Sequence, residues 1–318
     1  VSRRIRLGAL GAMLVLGLLA TLMPAASSAA ASESPVSGGS ATAQAERGGQ
    51  DPAADFPLLP SRCYDSANSR PVTPCRLEIY PRRPTVFLWG DSHAWMYLPA
   101  VRKLAQRNQL NLTIMFAGGC PPARGERADR TRYCEAHNER ALAMVTEYQQ
   151  LGRDYTVILA SWWAGYRQAY RRLGRPGSSF TAYETHQIML AHNGTSPLFT
   201  ALRNRKIRVN VVAPSAYVPL NAPACPAGES PYACPLPRSA ALNAEVRNRQ
   251  WLKSLIRPLA GSPRYIDPTS VYCTTTTCLP SVGRHATFFD AIHLGAGLTS
   301  TMTSYFAPVF RDLIRRSR

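Results

Sequence analysis

The sequence predicts an α/β domain in which helices cover both faces of a mostly parallel sheet. Three observations predict it. Five short apolar runs are rich in β-branched and aromatic residues, longer segments between them have helical spacing, and the two kinds alternate along the chain.

The runs are Thr85–Trp89, Leu110–Phe116, Tyr155–Ala160, Ile207–Ala213 and, more weakly, Arg264–Asp267. Each is short and apolar enough to be a strand buried on both faces. The helical segments are Ala94–Gln106, Glu135–Gln149, Ala241–Leu259 and Leu298–Ile314. In the first, Trp95, Leu98, Val101 and Leu104 recur on one face. Gly174–Thr195 is mixed and Pro214–Pro237 is proline-rich, so both are expected as surface excursions beside the site. Ligands of such sheets bind beyond the carboxyl ends of the strands, so chemistry is sought just after each run.

The predicted domain is preceded by two segments of other character. Arg3, Arg4 and Arg6 precede an apolar stretch from Leu7 to Met23 and then the small residues Ala25 to Ala31. This is the order of a signal peptide, expected over residues 1–31, with a retained anchor as the alternative. Residues 32–60 are rich in Ala, Ser, Gly and Gln and read as a flexible linker. The globular domain is expected over 61–318.

Eight cysteines fall into four neighbouring pairs: Cys63 and Cys75, Cys120 and Cys134, Cys225 and Cys234, Cys273 and Cys278. An even count in an exported chain reads as a disulfide set, with neighbour pairing expected. No Cys-x-x-Cys occurs, which argues against a structural zinc site. The formal net charge is +18, but the arginines are scattered and form no long basic tract. A solvated arginine-rich surface, attracted at most to an anionic envelope polymer, fits better than a nucleic-acid binder.

The chemistry lies at the two ends of the domain. The first run closes in Gly90-Asp91-Ser92-His93, with a helix directly after. A serine at a sharp strand-to-helix turn is exposed, and the helix start offers unpaired N–H groups for an oxyanion. Its hydroxyl needs a base. Near the other end, Asp290 stands three residues before His293 and can orient its imidazole. Plainer roles exist for these residues. Ser92 or Asp290 could be a helix cap. Asp91 is expected to hold the turn together. His93 is expected in the pocket wall, with rival base as its alternative. His137, His186 and His192 read as surface residues. Trp89, Trp95, Trp162 and Trp163 are expected to pack beside the sheet, with sugar stacking as the alternative.

Gly90-Asp91-Ser92-His93, the later Gly119-Cys120-Pro121 and the ending Asp290-x-x-His293-Leu294 together resemble the SGNH (GDSL-like) hydrolase superfamily. They are most similar to the extracytoplasmic SGNH domains fused to acyltransferase-3 membrane proteins. The resemblance spans about Ser61 to Arg318. It implies a flavodoxin-like three-layer α/β/α fold with a five-stranded, mostly parallel sheet. It also implies a Ser92–His293–Asp290 triad, with an oxyanion hole formed by the Ser92 N–H, by Gly118 or Gly119, and by an asparagine after the third strand. That asparagine is missing. Ser161-Trp162-Trp163 stands in its place, and Ser161 is the candidate third donor. No metal or nucleotide cofactor is implied. The expected activity is that of an exported ester hydrolase or O-acyltransferase forming an acyl-serine, with a catalytically silent glycan-binding module as the rival. Its expected ligand is an envelope polysaccharide or a small acyl ester. The fused relatives receive acetyl groups from their own membrane domain, so a separate membrane acyl-donor protein is one expected partner here.

Overall fold

The computed structural model describes residues 55–68, 70–125, 133–219, 222, 225 and 232–318. The expected signal peptide and residues 32–54 of the expected linker lie outside the described residues.

One sheet organises the domain. Its strands are β1 (Cys75–Glu78), β2 (Thr85–Gly90), β3 (Asn111–Phe116), β4 (Tyr155–Ala160), β5 (Val209–Val212) and β6 (Tyr265–Ile266). Their spatial order is β1-β3-β2-β4-β5-β6. The last five are mutually parallel and correspond to the five apolar runs. The sheet nevertheless has six strands, because β1 adds antiparallel to β3 at the edge. Its residues alternate between buried and exposed over only four positions, which leaves too short a pattern to stand out.

The helices are α1 (Ser92–Trp95), α2 (Leu98–Arg107), α3 (Tyr133–Gln150), α4 (Trp163–Arg172), α5 (Ala182–Asn204), α6 (Glu245–Ile256) and α7 (Thr303–Arg316). Strand alternation sorts the core into two layers. Val86 and Leu88 of β2 pack with α2 and α7 on one face. Phe87 and Trp89 pack with α3, α5 and α6 on the other. The three-layer flavodoxin-like arrangement is the one expected. Both α4 and most of α5 lie where no helix was expected. Thr181 caps α5 in a reciprocal pair with Glu184, so the helix starts inside the stretch read as a surface excursion.

Four disulfides join the cysteines as neighbours: Cys63–Cys75, Cys120–Cys134, Cys225–Cys234 and Cys273–Cys278. No helix among the described residues is long and apolar enough to cross a membrane.

Candidate active site

The central strands end level with one another. Gly90 is in register with Phe116 of β3 and Ala160 of β4, so the loops after all three open at one edge. Strand order reverses at β2, which makes this the crevice of the sheet. Glycine is needed at position 90 because a Cβ would collide with the Ala160 carbonyl and the Ala94 side chain. The chain then turns straight into α1, with Ser92 as its first residue.

The geometry joins the two ends of the domain. His293 Nε2 lies 2.7 Å from Ser92 Oγ. His293 Nδ1 lies 2.8 and 3.0 Å from the two Asp290 oxygens. The network assigns Nδ1–H as donor to Asp290, which leaves Nε2 to accept the Ser92 hydroxyl proton. Asp290 Oδ1 also accepts the backbone N–H groups of Ile292 and His293, both at 2.8 Å. Burial alone would raise the Asp290 carboxyl, but its bonds to the His293 ring and these N–H groups outweigh it and lower its pKa. Asp290 therefore caps its own turn, not the last helix. The segment is a tight loop closed by Phe289 N–H on the His293 carbonyl at 2.9 Å, and helix resumes only at Ala296.

Asp91 is 1% exposed and holds the turn, as expected. It accepts from the His93 N–H at 2.8 Å, the Ser161 hydroxyl at 2.6 Å and the Trp162 N–H at 3.0 Å. Burial would raise its carboxyl, but interactions with His93, Ser161 and Trp162 prevail and lower it. The Ser161 hydroxyl proton, expected as a third oxyanion donor, is thus engaged by the buried Asp91 carboxylate. The two glycines also separate. Gly119 faces the cleft beside Ser92, whereas Gly118 is exposed and outside it. Gly119 has φ +67°, and Tyr166 Oη donates to its carbonyl at 2.8 Å, tying α4 to the glycine loop. Neither Ser92 nor Gly119 gives its backbone N–H to an acceptor among the described residues.

A cleft of about 450 Å³ opens beside Ser92, walled by Trp162, Tyr166, Phe180, Gln187 and Val218. Trp162 stacks on His93 with centroids 6.0 Å apart. The His93 ring lies 4.9 Å from the His293 ring, and burial lowers its pKa, favouring neutral imidazole. The serine hydroxyl is hydrogen-bonded to His293, whereas the His93 ring faces Asp91, with Nδ1 3.6 Å from Asp91 Oδ1. Trp89 and Trp163 are fully packed, donating to Asn138 and to the Val212 carbonyl.

Two features of the site were not read from the sequence. Gln187 of α5 lies against Gly119, with its buried Nε2 lacking an acceptor. The second is Asp55–Pro60, expected as the end of a linker. Phe56 meets the His293 ring edge-on at 5.4 Å and packs on Trp95 and Phe289 at 5.1 Å each. Asp55 accepts the Gly297 N–H at 2.9 Å, and its carbonyl accepts Ala296 N–H at 2.8 Å. Trp95 Nε1 donates to the Pro57 carbonyl at 2.8 Å. The phrase Asp55-Phe56-Pro57-Leu58-Leu59 was the available signal, a dense apolar run closing a small-residue stretch.

Among the described residues no group of three or more His, Cys, Asp or Glu could hold a metal ion. Fold and site together define a serine-dependent acyl-transfer enzyme, a carboxylic ester hydrolase or O-acyltransferase of the SGNH type. The family described as the SGNH domain fused to AT3 domains matches residues 62–308, and the chain belongs to it. Acyl esters and glycans in general are the ligands that fit this family context. Comparison with curated proteins found no match. Among solved structures, the chain is similar to the periplasmic domain of a lipopolysaccharide acetyltransferase from Salmonella ser. Paratyphi A. They share 15% identity with a TM-score of 0.48, covering 72% of this chain and 84% of that one.

Proposed function

We propose that Ser92 is the nucleophile of an extracytoplasmic enzyme acting on O-acyl esters of envelope glycans. The observation that carries this reading is the continuous bonding from Ser92 through His293 to Asp290 at the mouth of the cleft. Ser92 Oγ attacks the ester carbonyl carbon while His293 Nε2 takes its proton. Asp290 keeps the ring in the required tautomer and stabilises the imidazolium. The N–H groups of Ser92 and Gly119 receive the oxyanion, with the unengaged amide of Gln187 beside the second. His293 then protonates the departing alkoxide, leaving acyl-Ser92. Water, or a sugar hydroxyl deprotonated by His293, attacks the acyl carbon and releases Ser92. Water gives a hydrolase, and a sugar hydroxyl gives an O-acyltransferase supplied by a separate membrane acyl donor or by another ester. Four disulfides and the leader-like N-terminus support an oxidising compartment outside the cytoplasm. The contacts of Asp55 and Phe56 support a domain that begins by Asp55 and not at Ser61.

Engagement of both Ser161 and the Trp162 N–H by Asp91 favours a second reading, a silent glycan-binding module. A fluorophosphonate probe separates the two. The wild-type chain is expected to label and Ser92→Ala not to label. Hydrolysis of an acetyl ester should fall by about 10⁴-fold or more in Ser92→Ala. Adding an oligosaccharide acceptor then distinguishes transfer from hydrolysis. A wild-type chain that binds sugars but stays unlabelled would establish the module instead.

A further inference from the structure

The sheet edge opposite the active site carries a repeated feature. Four of the five parallel strands begin one or two residues after an arginine. Arg83 precedes Thr85, Arg153 precedes Tyr155, Arg208 precedes Val209 and Arg264 precedes Tyr265. The last turn of α7 brings Arg316 to the same edge. Three concavities of about 600, 430 and 550 Å³ lie along it. The first two share Arg153 and Asp154, and the second and third share Gly261, so they form one groove beneath the sheet.

The groove is strongly cationic. Nine exposed arginines and lysines line it against three carboxylates. Two of those carboxylates are already paired. Asp312 is bridged by Arg264 at 2.6 Å and Arg315 at 3.2 Å, and Glu78 by Arg102 at 2.6 Å. Among the described residues, Arg83, Arg153, Arg208 and Arg316 make no ion pair. Burial, then crowding by Arg208 and Arg315, pushes the Arg316 guanidinium below its ordinary value. Helices α2, α3, α5, α6 and α7 end at this edge, where Arg83 donates to the Asn108 and Gln109 carbonyls just after α2, but each end carries only about half a negative charge. With the three carboxylates, these ends leave a net excess of roughly three to four positive charges in a concave row.

We infer that this groove docks an acidic polysaccharide, whose carboxylate, sulfate or phosphate groups pair with the row of guanidinium groups. Six strands at about 4.8 Å spacing make the row roughly 24 Å long, the reach of several sugar residues. A concave row suits an extended polymer better than a flat bilayer. A disulfide-bonded chain belongs where the ambient polyanions are envelope glycans, not nucleic acids. Six-residue strands separate the groove from the site by about 20 Å, so a polymer can be held on one edge while acyl transfer proceeds on the other. The inference concerns binding alone and stands whether or not Ser92 proves to be the nucleophile.

The test is fluorescence anisotropy of the full chain with labelled polygalacturonate and dextran sulfate, neutral dextran as blank, and phosphatidylglycerol vesicles as a membrane arm. The groove variant combines Arg153→Ser, Arg208→Ser and Arg316→Ser. The control combines Arg140→Ser, Arg247→Ser and Arg311→Ser, removing equal charge from outward helix faces. Polymer affinity is expected to fall about tenfold or more in the groove variant and less than about twofold in the control, with ester turnover equal in both. Equal losses in the two variants, or a loss confined to vesicles, would overturn the inference. If the triple variant fails to fold, Arg153→Ser against Arg140→Ser makes the same comparison.

Discussion

Single residues here are decided by what closes around them. Ser161 and His137 show this in opposite directions. Ser161 looks free after a strand, yet its hydroxyl belongs to buried Asp91. His137 looks like a surface residue of a polar helix, yet it is 2% exposed on the inner side of α3. Burial, with Arg140 nearby, pushes its pKa down to about 4. A histidine depressed in the folded state has a defined consequence for stability. As pH falls below the unfolded value of about 6.5, the unfolded chain gains a proton that the native chain refuses. Stability should therefore fall between about pH 6.5 and 4, by on the order of 3 kcal/mol in total. Urea melts across that range should show a shallower slope for His137→Gln than for wild type. Equal slopes would show that another group sets the pH dependence.

At the scale of elements, the segment Asp55–Pro60 changes how the site is understood. The family match begins at residue 62, after this segment, yet Phe56 covers one side of the His293 ring. Asp55 holds the turn that carries the chain from His293 into the last helices. Phe56→Ala is expected to lower kcat for a small ester by about tenfold with KM nearly unchanged, since it loosens the base without touching the substrate cleft. Phe56→Leu should restore most of the loss. Steady-state kinetics alongside thermal melts check this, and a raised KM at unchanged kcat would contradict the positioning role. The five parallel strands were legible because a strand buried on both faces is a continuous apolar run. The edge strand β1, Asp55–Pro60 and the first half of α5 were not, because each is polar or short and gains its place from contacts made elsewhere in the fold.

At the scale of the whole molecule, local crosslinks steady the loops around the sheet. Cys63–Cys75 and Cys120–Cys134 close separations of 12 and 14 residues, each worth about 3 kcal/mol in the chain-entropy account. Reduction should lower the melting temperature by about 10 °C or more, at 2–4 °C per kcal/mol for a domain of this size. Scanning calorimetry with and without dithiothreitol measures it, and coincident melts would show that the core alone sets stability. The sequence by itself determined the α/β class, the parallel strands, and the short motifs that single out Ser92, Asp290 and His293 as candidates. These are written in local periodicity and in short motifs whose meaning does not depend on distant chain. Only the tertiary structure decided that residues 201 positions apart lie 2.7 Å from one another, that Asp91 engages Ser161, and that scattered arginines align in one groove. Those relations arise where strand register and helix packing bring remote side chains together, and no short-range pattern encodes them.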